Sequence, residues 1–434
     1  MKITSVKAFL IKSDLTGGEI KTKPRRAAAS SGCHLPPSRD TEDPLMKITN
    51  VKAFLIKSDL TGGEIKTKPR RPAWTESAEV AGPMSRFPRF KKLRKSWRPT
   101  MPSVGCIITA EDGSWGFGAS RYGNPVASLI NEHLGPLLVG ENPVATEHLW
   151  DMLWRAASPY GAAGLASYAI SALDFALWDL KGKLLKRPVF ELLGGPVRDK
   201  QVCYATGGDT DWNIELGFSA TKLPCPYGPA DGLAGLDGNE ELVAKTRELI
   251  GPRIELMLDC WMALDADFTV RLAERLRPYN LKWIEDCLIP EDMDGWGVLR
   301  QRLPWATLAT GEHWYTVLPF MQAASRHMVD IFQPDIAWVG GVTATVKICH
   351  LAEAAGIPVI PHAAMNSPFG QHVAIAMPNI PWGEFFMGSP PGVPLEEVTP
   401  FPGMAVPKDG VLVPRDGPGF ALGLSLDDLE KLKV

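Results

Sequence analysis

No run of apolar residues in the 434-residue chain approaches the roughly 20 that a membrane-spanning helix needs. The first residues, Met1-Lys2-Ile3-Thr4-Ser5-Val6, alternate like a strand and lack the apolar block and cleavage site of a secretory signal. There is no excess of positive charge. The formal net charge is −3, which argues against a nucleic-acid-binding surface. There is no Cys-x-x-Cys pair either. Seven scattered cysteines, an odd number, suit reduced thiols in a cytoplasm better than a disulfide framework or a thiolate metal site. Cys225 and Cys260 fall near the residues singled out below, but nothing in the pattern marks a nucleophilic thiol. No glycine-rich phosphate fingerprint follows any candidate strand, and Gly207-Gly208 is only a pair. What remains is an ordinary globular composition, 45% apolar and 22% charged, long enough for two or three domains.

The chain opens on a copied block. Met1–Arg26 recurs as Met46–Arg71 with one change, Ser5 against Asn50. Solenoid repeats diverge and number three or more, so this is a single duplication and not a repeat architecture. The intervening Ala27–Leu45 has no periodicity and reads as linker. Only the second copy runs straight into the following domain, so residues 1–45 are set aside as a duplicated, non-functional start.

Residues 46–195 read as one domain of strands followed by helices. Ile48–Ile56 and Val104–Thr109 alternate as strands, with Glu111-Asp112-Gly113 as a hairpin turn. Helices are expected over Pro125–Leu138, Ala145–Ala156 and Gly164–Leu184; in the last, Ile170, Leu173, Leu177 and Leu180 mark one apolar face. From residue 196 to 385 strands and helices alternate, the pattern of a parallel βα fold. Strands are expected at Gln201–Thr206, Ser219–Pro224, Ile254–Leu258, Leu281–Ile284, Ala306–Thr310, Val329–Gln333, Ile357–Ile360 and, weakly, Trp382–Phe386. Helices are expected at Asn239–Ile250, Ala266–Tyr279 and Thr343–Ala355. Eight strand positions fit one barrel; an open doubly wound sheet is the rival. The Pro- and Gly-rich tail, 386–434, is expected to pack back on the first domain.

Three acids close three successive apolar runs of this region: Asp259, Glu285 and Glu312. They are spaced by about one strand, one loop and one helix each. His362 closes a later run. In a barrel of βα units the strand ends converge on one face, so residues distant in sequence meet in one site. Three carboxylates meeting there repel one another unless a cation sits between them. Oxygen ligands that leave positions open for substrate suit Mg²⁺.

The motifs Asp259-Cys260-Trp261-Met262, Lys282-Trp283-Ile284-Glu285, Gly311-Glu312-His313 and Gln333-Pro334-Asp335 resemble the enolase superfamily in its mandelate racemase-like branch, and within it the rhamnonate dehydratases. The helix around Ala172–Leu180 and Leu192-Leu193-Gly194-Gly195 looks like the stretch joining that family's capping domain to its barrel. The resemblance runs over nearly all of residues 46–434. It implies an α/β fold, a modified (β/α)8 barrel of the TIM type with an α+β capping domain. A Lys or His base with Mg²⁺ stabilising an ene-diolate is the established pattern of this superfamily, and the resemblance extends that pattern to this chain. By position, Asp259, Glu285 and Glu312 would bind Mg²⁺. His362 would be the general base, oriented by Asp335. Glu384 would face the substrate carboxylate as an electrophilic or hydrogen-bonding group, and Lys222 would be the first lysine of a Lys-x-Lys pair. His313 is expected at the substrate only if it turns inward where its strand ends, because neighbours on an extended strand point oppositely. Trp261, Glu79, Arg94 and Arg98 are expected to line the substrate site, the last three from a capping segment that closes the barrel mouth.

Two departures bear on the reaction. Pro224 stands where the second lysine of the pair would be, so an acid-base group is evident on one face only. That favours β-elimination over racemisation, epimerisation or cycloisomerisation. Glu79 stands where rhamnonate enzymes carry a histidine, so the sugar acid need not be rhamnonate, and a carboxylate there disfavours a second carboxylate on the substrate. The reading is therefore a Mg²⁺-dependent dehydratase of a small sugar acid, homo-oligomeric and cytoplasmic, with no nucleic-acid or membrane partner. A non-catalytic barrel would have lost a triad member or the base, and a metal-dependent aldolase would show a second histidine at a strand end.

Deleting Met1–Leu45 is expected to leave the melting temperature and activity unchanged, because Met46–Arg71 supplies the same strand already joined to its domain. A large drop in melting temperature would show instead that the first copy is built into the sheet.

Overall fold

The computed structural model describes residues 46–57, 65–91, 96–398 and 401–434. The first copy of the repeat and Arg94 lie outside them. The second copy forms β1 (Ile48–Ile56), the edge of a three-stranded antiparallel sheet with β2 (Ser103–Ala110) and β3 (Trp115–Ser120). The β2–β3 turn carries Gly113 at φ 83°, a conformation that favours glycine, and Asp112 accepts a hydrogen bond from the Ser114 amide at 2.8 Å.

The helix Leu165–Leu185 lies on this sheet. Gly116 and Gly118 of β3 make that possible, since a Cβ at either would stand 2.0 Å from a carbonyl oxygen of the helix. The expected single apolar face is too modest. The helix is sandwiched between the sheet and the barrel, so Ser167, Ser171, Asp174 and Asp179 are buried as well. These polar groups are brackets. Asp174 accepts hydrogen bonds from the amide and hydroxyl of Thr343, at 2.9 and 2.6 Å, on the helix Gly341–Ala354. Asp179 accepts from the Phe117 amide of β3 and the Phe420 amide of the tail and pairs with Lys183. A buried carboxylate is costly unless its lone pairs are met, and here they are met from three different parts of the chain.

The second sheet is parallel and curled. It runs, in spatial order, through β10 (Trp382–Phe386), β4 (Gln201–Thr206), β5 (Ala220–Pro224), β6 (Glu255–Asp259), β7 (Ile284–Glu285), β8 (Leu308–Thr310) and β9 (Ile331–Phe332). A short β11 (Val411–Leu412) in the tail adds antiparallel to β4. The tail also returns to the first sheet, where Lys433 bridges Ile56. The expected strand Ile357–Ile360 is present only as isolated bridges, Phe332 to Val359 and Asp335 to His362. Pro358 and Pro361 have no N–H to donate, so a continuous ladder cannot form there. The helix expected from Asn239 begins seven residues earlier, at Gly232, because Gly232, Gly235 and Gly238 are poor helix formers that the packing nonetheless enrols.

One pattern inside the barrel positions everything that follows. Tyr204, Ala220, Met257, Trp283, Ala309, Ile331 and Ile360 form a small buried apolar cluster, with Trp382 packed against it. Each strand position contributes one residue. Side chains alternate across a strand, so the next inward position is two residues on. Those positions are Thr206, Lys222, Asp259, Glu285, Gly311, Gln333, His362 and Glu384. The apolar layer is a floor, and the polar layer is a ring standing on it.

His372, in the helix Pro368–Ala376, lies against Phe190 and Phe420. Burial pulls its imidazole down from 6.5 to about 4, against a smaller raising contribution from the Arg415 backbone. The folded state thus favours the neutral ring, and between these values the unfolded chain binds the extra proton. Stability supplied by this residue is complete above pH 6.5 and is lost as the pH falls toward 4, by about 3 kcal/mol. Urea unfolding at pH 7 and pH 4.5 should show that loss, and His372→Leu should shrink it.

Candidate active site and metal centre

The ring is acidic with a single ammonium group at its centre. Lys222 is fully buried, as are Glu285 and Glu384, at 1% exposure each. Lys222 Nζ hydrogen-bonds Glu285 Oε1, lies 2.9 Å from Glu384 Oε1 and 3.9 Å from Asp259 Oδ2. Burial alone would lower its pKa, but Glu285 and Glu384 outweigh it and hold the amine charged. Glu384 also accepts hydrogen bonds from the Thr206 hydroxyl and the Ala363 amide. Burial opposes its ionisation, yet Lys222 and His362 hold it down to about 2. It is therefore an acceptor in this arrangement, clamping Lys222 and the turn after His362.

Glu312 reaches the ring by a different route. The in-phase position on its strand is Gly311, at φ 136°, and this turn brings the following side chain inward. Ligand oxygens of Asp259, Glu285 and Glu312 then all lie within 4.8 Å of one another. Neither Glu312 oxygen accepts a hydrogen bond, although His313 Nδ1 and His362 Nε2 stand 3.4 and 3.3 Å away. Burial is the main reason the Glu312 carboxyl is pushed up to about 7, with the two histidines opposing it. Glu285 is likewise pushed up, to about 8, by burial against the charge of Lys222. A buried carboxylate with both oxygens unmet, Glu312, beside the carboxylates of Asp259 and Glu285 is what a hard divalent cation with oxygen ligands satisfies. The trio fits such an ion. A second grouping, Asp286, Glu312 and His313, shares Glu312, but there His313 Nδ1 is already bound to Asp286 at 3.0 Å. The thiols are not alternatives. Contacts with Cys225 and Cys287, together with burial, hold the Cys260 thiol well above its ordinary range.

His362 stands beside the trio. Its Nδ1 is 2.8 Å from Asp335 Oδ2, while Asp335 Oδ1 accepts the Ala337 amide at 2.8 Å and so closes its own turn. Burial pulls the imidazole down, but Glu312, Asp335 and Glu384 together raise it to about 10. The Asp335 contact assigns the proton of that nitrogen and leaves Nε2 facing the ring. His313 does turn inward. It bonds Asp286, which also accepts the Thr310 hydroxyl, and its ring lies 5.5 Å from Trp338. Trp338 is 5.1 Å from the His362 ring, so both imidazoles share one aromatic wall. Trp261, Asp286 and Ala363, which follow ring strands, carry φ values of 42°, 48° and 47°. Non-glycine residues in that region are strained, and such strain gathers at sites.

The capping residues divide. Gly82 sits directly on Trp261, the Ala81 amide donates to Cys225 O at 2.8 Å, and Lys91 pairs with Asp231, so the segment docks on the β5 side of the rim. Arg98 lies over Trp261 at 5.7 Å. Glu79 lines a cavity of about 230 Å³ with Trp74, Gly208, Pro224 and Tyr227, beside the ends of β4 and β5. Sequence reasoning missed Thr206, Gln333, Asp286 and Trp338. Gln333 donates to Glu285 Oε2 at 2.7 Å, and the Trp283 indole donates to the same oxygen at 2.8 Å. The two-residue step from the floor would have found Thr206 and Gln333; nothing local marks Asp286 or Trp338.

Residues 211–429 match the enolase C-terminal domain-like family, and residues 98–194 match the N-terminal domain of the mandelate racemase / muconate lactonizing enzymes. An L-rhamnonate dehydratase of Saccharopolyspora erythraea is 41% identical over 352 residues, 80% of this chain and 89% of that protein. The solved rhamnonate dehydratase of Gibberella zeae complexed with Mg is similar at TM-score 0.83 and 34% identity, over 90% of this chain and 97% of that one. The 3,6-anhydro-D-galactonate cycloisomerase of Zobellia galactanivorans is similar at TM-score 0.68 and 26% identity, over 89% and 99% of the two chains. With a matching barrel, a matching capping domain and relatives of this identity along most of its length, the chain belongs to the enolase superfamily, in its mandelate racemase and muconate lactonizing branch.

Proposed function

We propose that this chain is a Mg²⁺-dependent dehydratase of sugar acids of the aldonate type, giving 2-keto-3-deoxy acids. The observation that carries the reading is the His362–Asp335 pair set against the acid trio, with Lys222 locked in place across the ring. The L-rhamnonate dehydratase relative supports the substrate class.

Asp259, Glu285 and Glu312 would hold the metal, which supplies Lewis-acid stabilisation of negative charge at the substrate's carboxylate oxygens. The remaining steps belong to side chains. Lys222 adds a fixed positive charge beside that carboxylate, kept from water so that its field is not screened. A cation on the trio would take up the charge of Glu312, the largest contribution raising the His362 imidazole, and so free Nε2; that nitrogen takes the proton from C2, and the electron pair of the C–H bond passes into an ene-diolate. The imidazolium, steadied by Asp335, then gives that proton to the C3 hydroxyl. The C3–O bond breaks, water leaves, and the resulting enol becomes the keto acid. Glu384, held ionised, keeps Lys222 and the turn at Ala363 in register.

A racemase needs an acid-base group on each face of the intermediate. His313 and His362 lie against the same Trp338, and Lys222 is engaged by carboxylates, which supports elimination.

Screening aldonic and aldaric acids with Mg²⁺ for 2-keto acid formation tests the proposal; C2-labelled stereoisomer in deuterated water without keto acid would favour the racemase instead. Chelation should abolish turnover and Mg²⁺ restore it. Asp259→Asn should lower kcat by at least about 10³-fold and remove the rise in melting temperature that Mg²⁺ produces in the parent. Full activity in excess chelator would eliminate the metal mechanism. His362→Asn should stop both elimination and exchange of the C2 hydrogen while substrate still binds. Exchange at the parent rate would assign the base elsewhere.

A further inference from the structure

Asp286 and His313 lie beside the acid trio and take no part in the steps above. Together with Glu312 they bring three ligand atoms to within 4.8 Å of one another. His313 Nδ1 is 3.0 Å from Asp286 Oδ2 and 3.4 Å from Glu312 Oε1. Two ligands bound about 2.1 Å from one ion, at angles between octahedral and tetrahedral, stand about 3.0 to 3.4 Å apart. The hydrogen bond that occupies Nδ1 therefore holds a proton where a small cation fits.

The surrounding elements keep the three groups in place. Asp286 follows β7 at φ 48°, and its Oδ1 accepts the Thr310 hydroxyl of β8 at 2.9 Å, which leaves Oδ2 turned to His313. The His313 ring meets Trp261 edge-on at 6.0 Å and lies 5.5 Å from Trp338. An acceptor steadied from behind by a hydroxyl and an imidazole walled by indoles have the outer partners that metal ligands need.

Glu312 supplies an independent observation. It is 2% exposed, and both its oxygens are buried without a hydrogen bond. They face different partners, Oε1 toward His313 and Oε2 toward His362 Nε2 at 3.3 Å. One carboxylate can thus serve two centres. Charge leaves room for a second ion as well. Asp259, Glu285, Asp286, Glu312, Asp335 and Glu384 gather around one ammonium group, Lys222, and a single divalent ion on the trio leaves negative charge in excess. The imidazole sets which ion enters. Mg²⁺ takes oxygen ligands, whereas imidazole suits Zn²⁺ and Ni²⁺.

We propose that Asp286, Glu312 and His313 form a second metal site, selective for a transition-metal dication such as Zn²⁺, which shares Glu312 with the Asp259–Glu285–Glu312 centre. The ion takes the place of the proton between His313 and Asp286, and that proton passes to solvent. The site does not depend on which acid the chain dehydrates.

The test dialyses the full-length protein against Zn²⁺ with Mg²⁺ in large excess and counts bound zinc by elemental analysis. The parent should retain one Zn²⁺ per chain. His313→Asn should weaken Zn²⁺ binding at least about 100-fold, beyond what the loss of an outer partner costs, yet keep the rise in melting temperature that Mg²⁺ produces. Asp259→Asn should do the reverse, and Glu312→Gln should lose both responses. X-ray absorption of the parent needs no variant, and nitrogen and oxygen neighbours at about 2.0 to 2.2 Å are expected. Sulfur at about 2.3 Å would place the ion on Cys225, Cys260 and Cys287 and overturn the site. Zinc retained in full by His313→Asn would overturn it too, as would zinc displaced entirely by Mg²⁺ from the parent, which would mean one centre for both ions. These measurements use no substrate, so their failure and the failure of the acid-sugar screen are independent.

Discussion

Mutual repulsion among buried carboxylates is the constraint under which this barrel is arranged. Asp259 and Glu285 end their strands, Glu312 follows one and Glu384 lies within β10, and all four meet around one small space. At an effective dielectric of about 20, two like charges 4 Å apart oppose each other by about 4 kcal/mol. One ammonium group, Lys222, cannot offset four carboxylates, and the hydrogen bonds from Thr206, Trp283, Gln333 and Ala363 relieve only Glu285 and Glu384. Glu312 is left with both oxygens unmet, and with Asp259 and Glu285 it forms a group that could hold a cation. The apolar floor sets the separation. Tyr204, Met257 and Trp283 fill the lumen and keep the strands from closing further, so the acids stand near one another without collapsing.

The capping sheet is held to this barrel by groups of the same kind put to a different use. Asp174 and Asp179 are buried carboxylates too, but Asp174 is met by the amide and hydroxyl of Thr343 and Asp179 by donors from β3, the tail and Lys183. They bind the helix Leu165–Leu185 to β3, to the helix Gly341–Ala354 and to the tail. In one molecule the burial of an acid thus has two outcomes. Where its lone pairs are met by the chain it joins elements. Where they are left open it makes a site.

The in-phase acids could be read from the sequence because they combine two regularities, the alternation within a strand and the repeat of the βα unit. Asp259, Glu285, Lys222, His362 and Glu384 all obey the two-residue step from the floor. Glu312 departs from it and is still legible, because the glycine before it both breaks the phase and turns the acid inward. The layout of parallel strands and helices was legible for the same reason. The ends of elements were less so. Proline removed the ladder at Ile357–Ile360, and glycines concealed the first turns of the helix from Gly232. Trp338 and Asp286 were invisible, since their place depends on which turn folds over which strand end, and no local pattern encodes that. Glu79, expected over the mouth from its place in the capping segment, lines a cavity with Trp74, Pro224 and Tyr227 beside the ends of β4 and β5.

Pro358 and Pro361 have an effect beyond shortening a strand. The acid trio is borne by segments knitted to their neighbours on both sides, with the hydrogen-bonded registers that run from β5 to β9. His362 is borne by a segment that touches the sheet at isolated points. Yet its backbone is not loose, for the His362 amide donates to the Pro334 carbonyl at 3.1 Å while its ring meets the carboxylate of Asp335. Consecutive residues beyond β9 thus hold both the backbone and the ring, so a stave that the prolines keep from full pairing is still registered, through one turn, to the strand beside it.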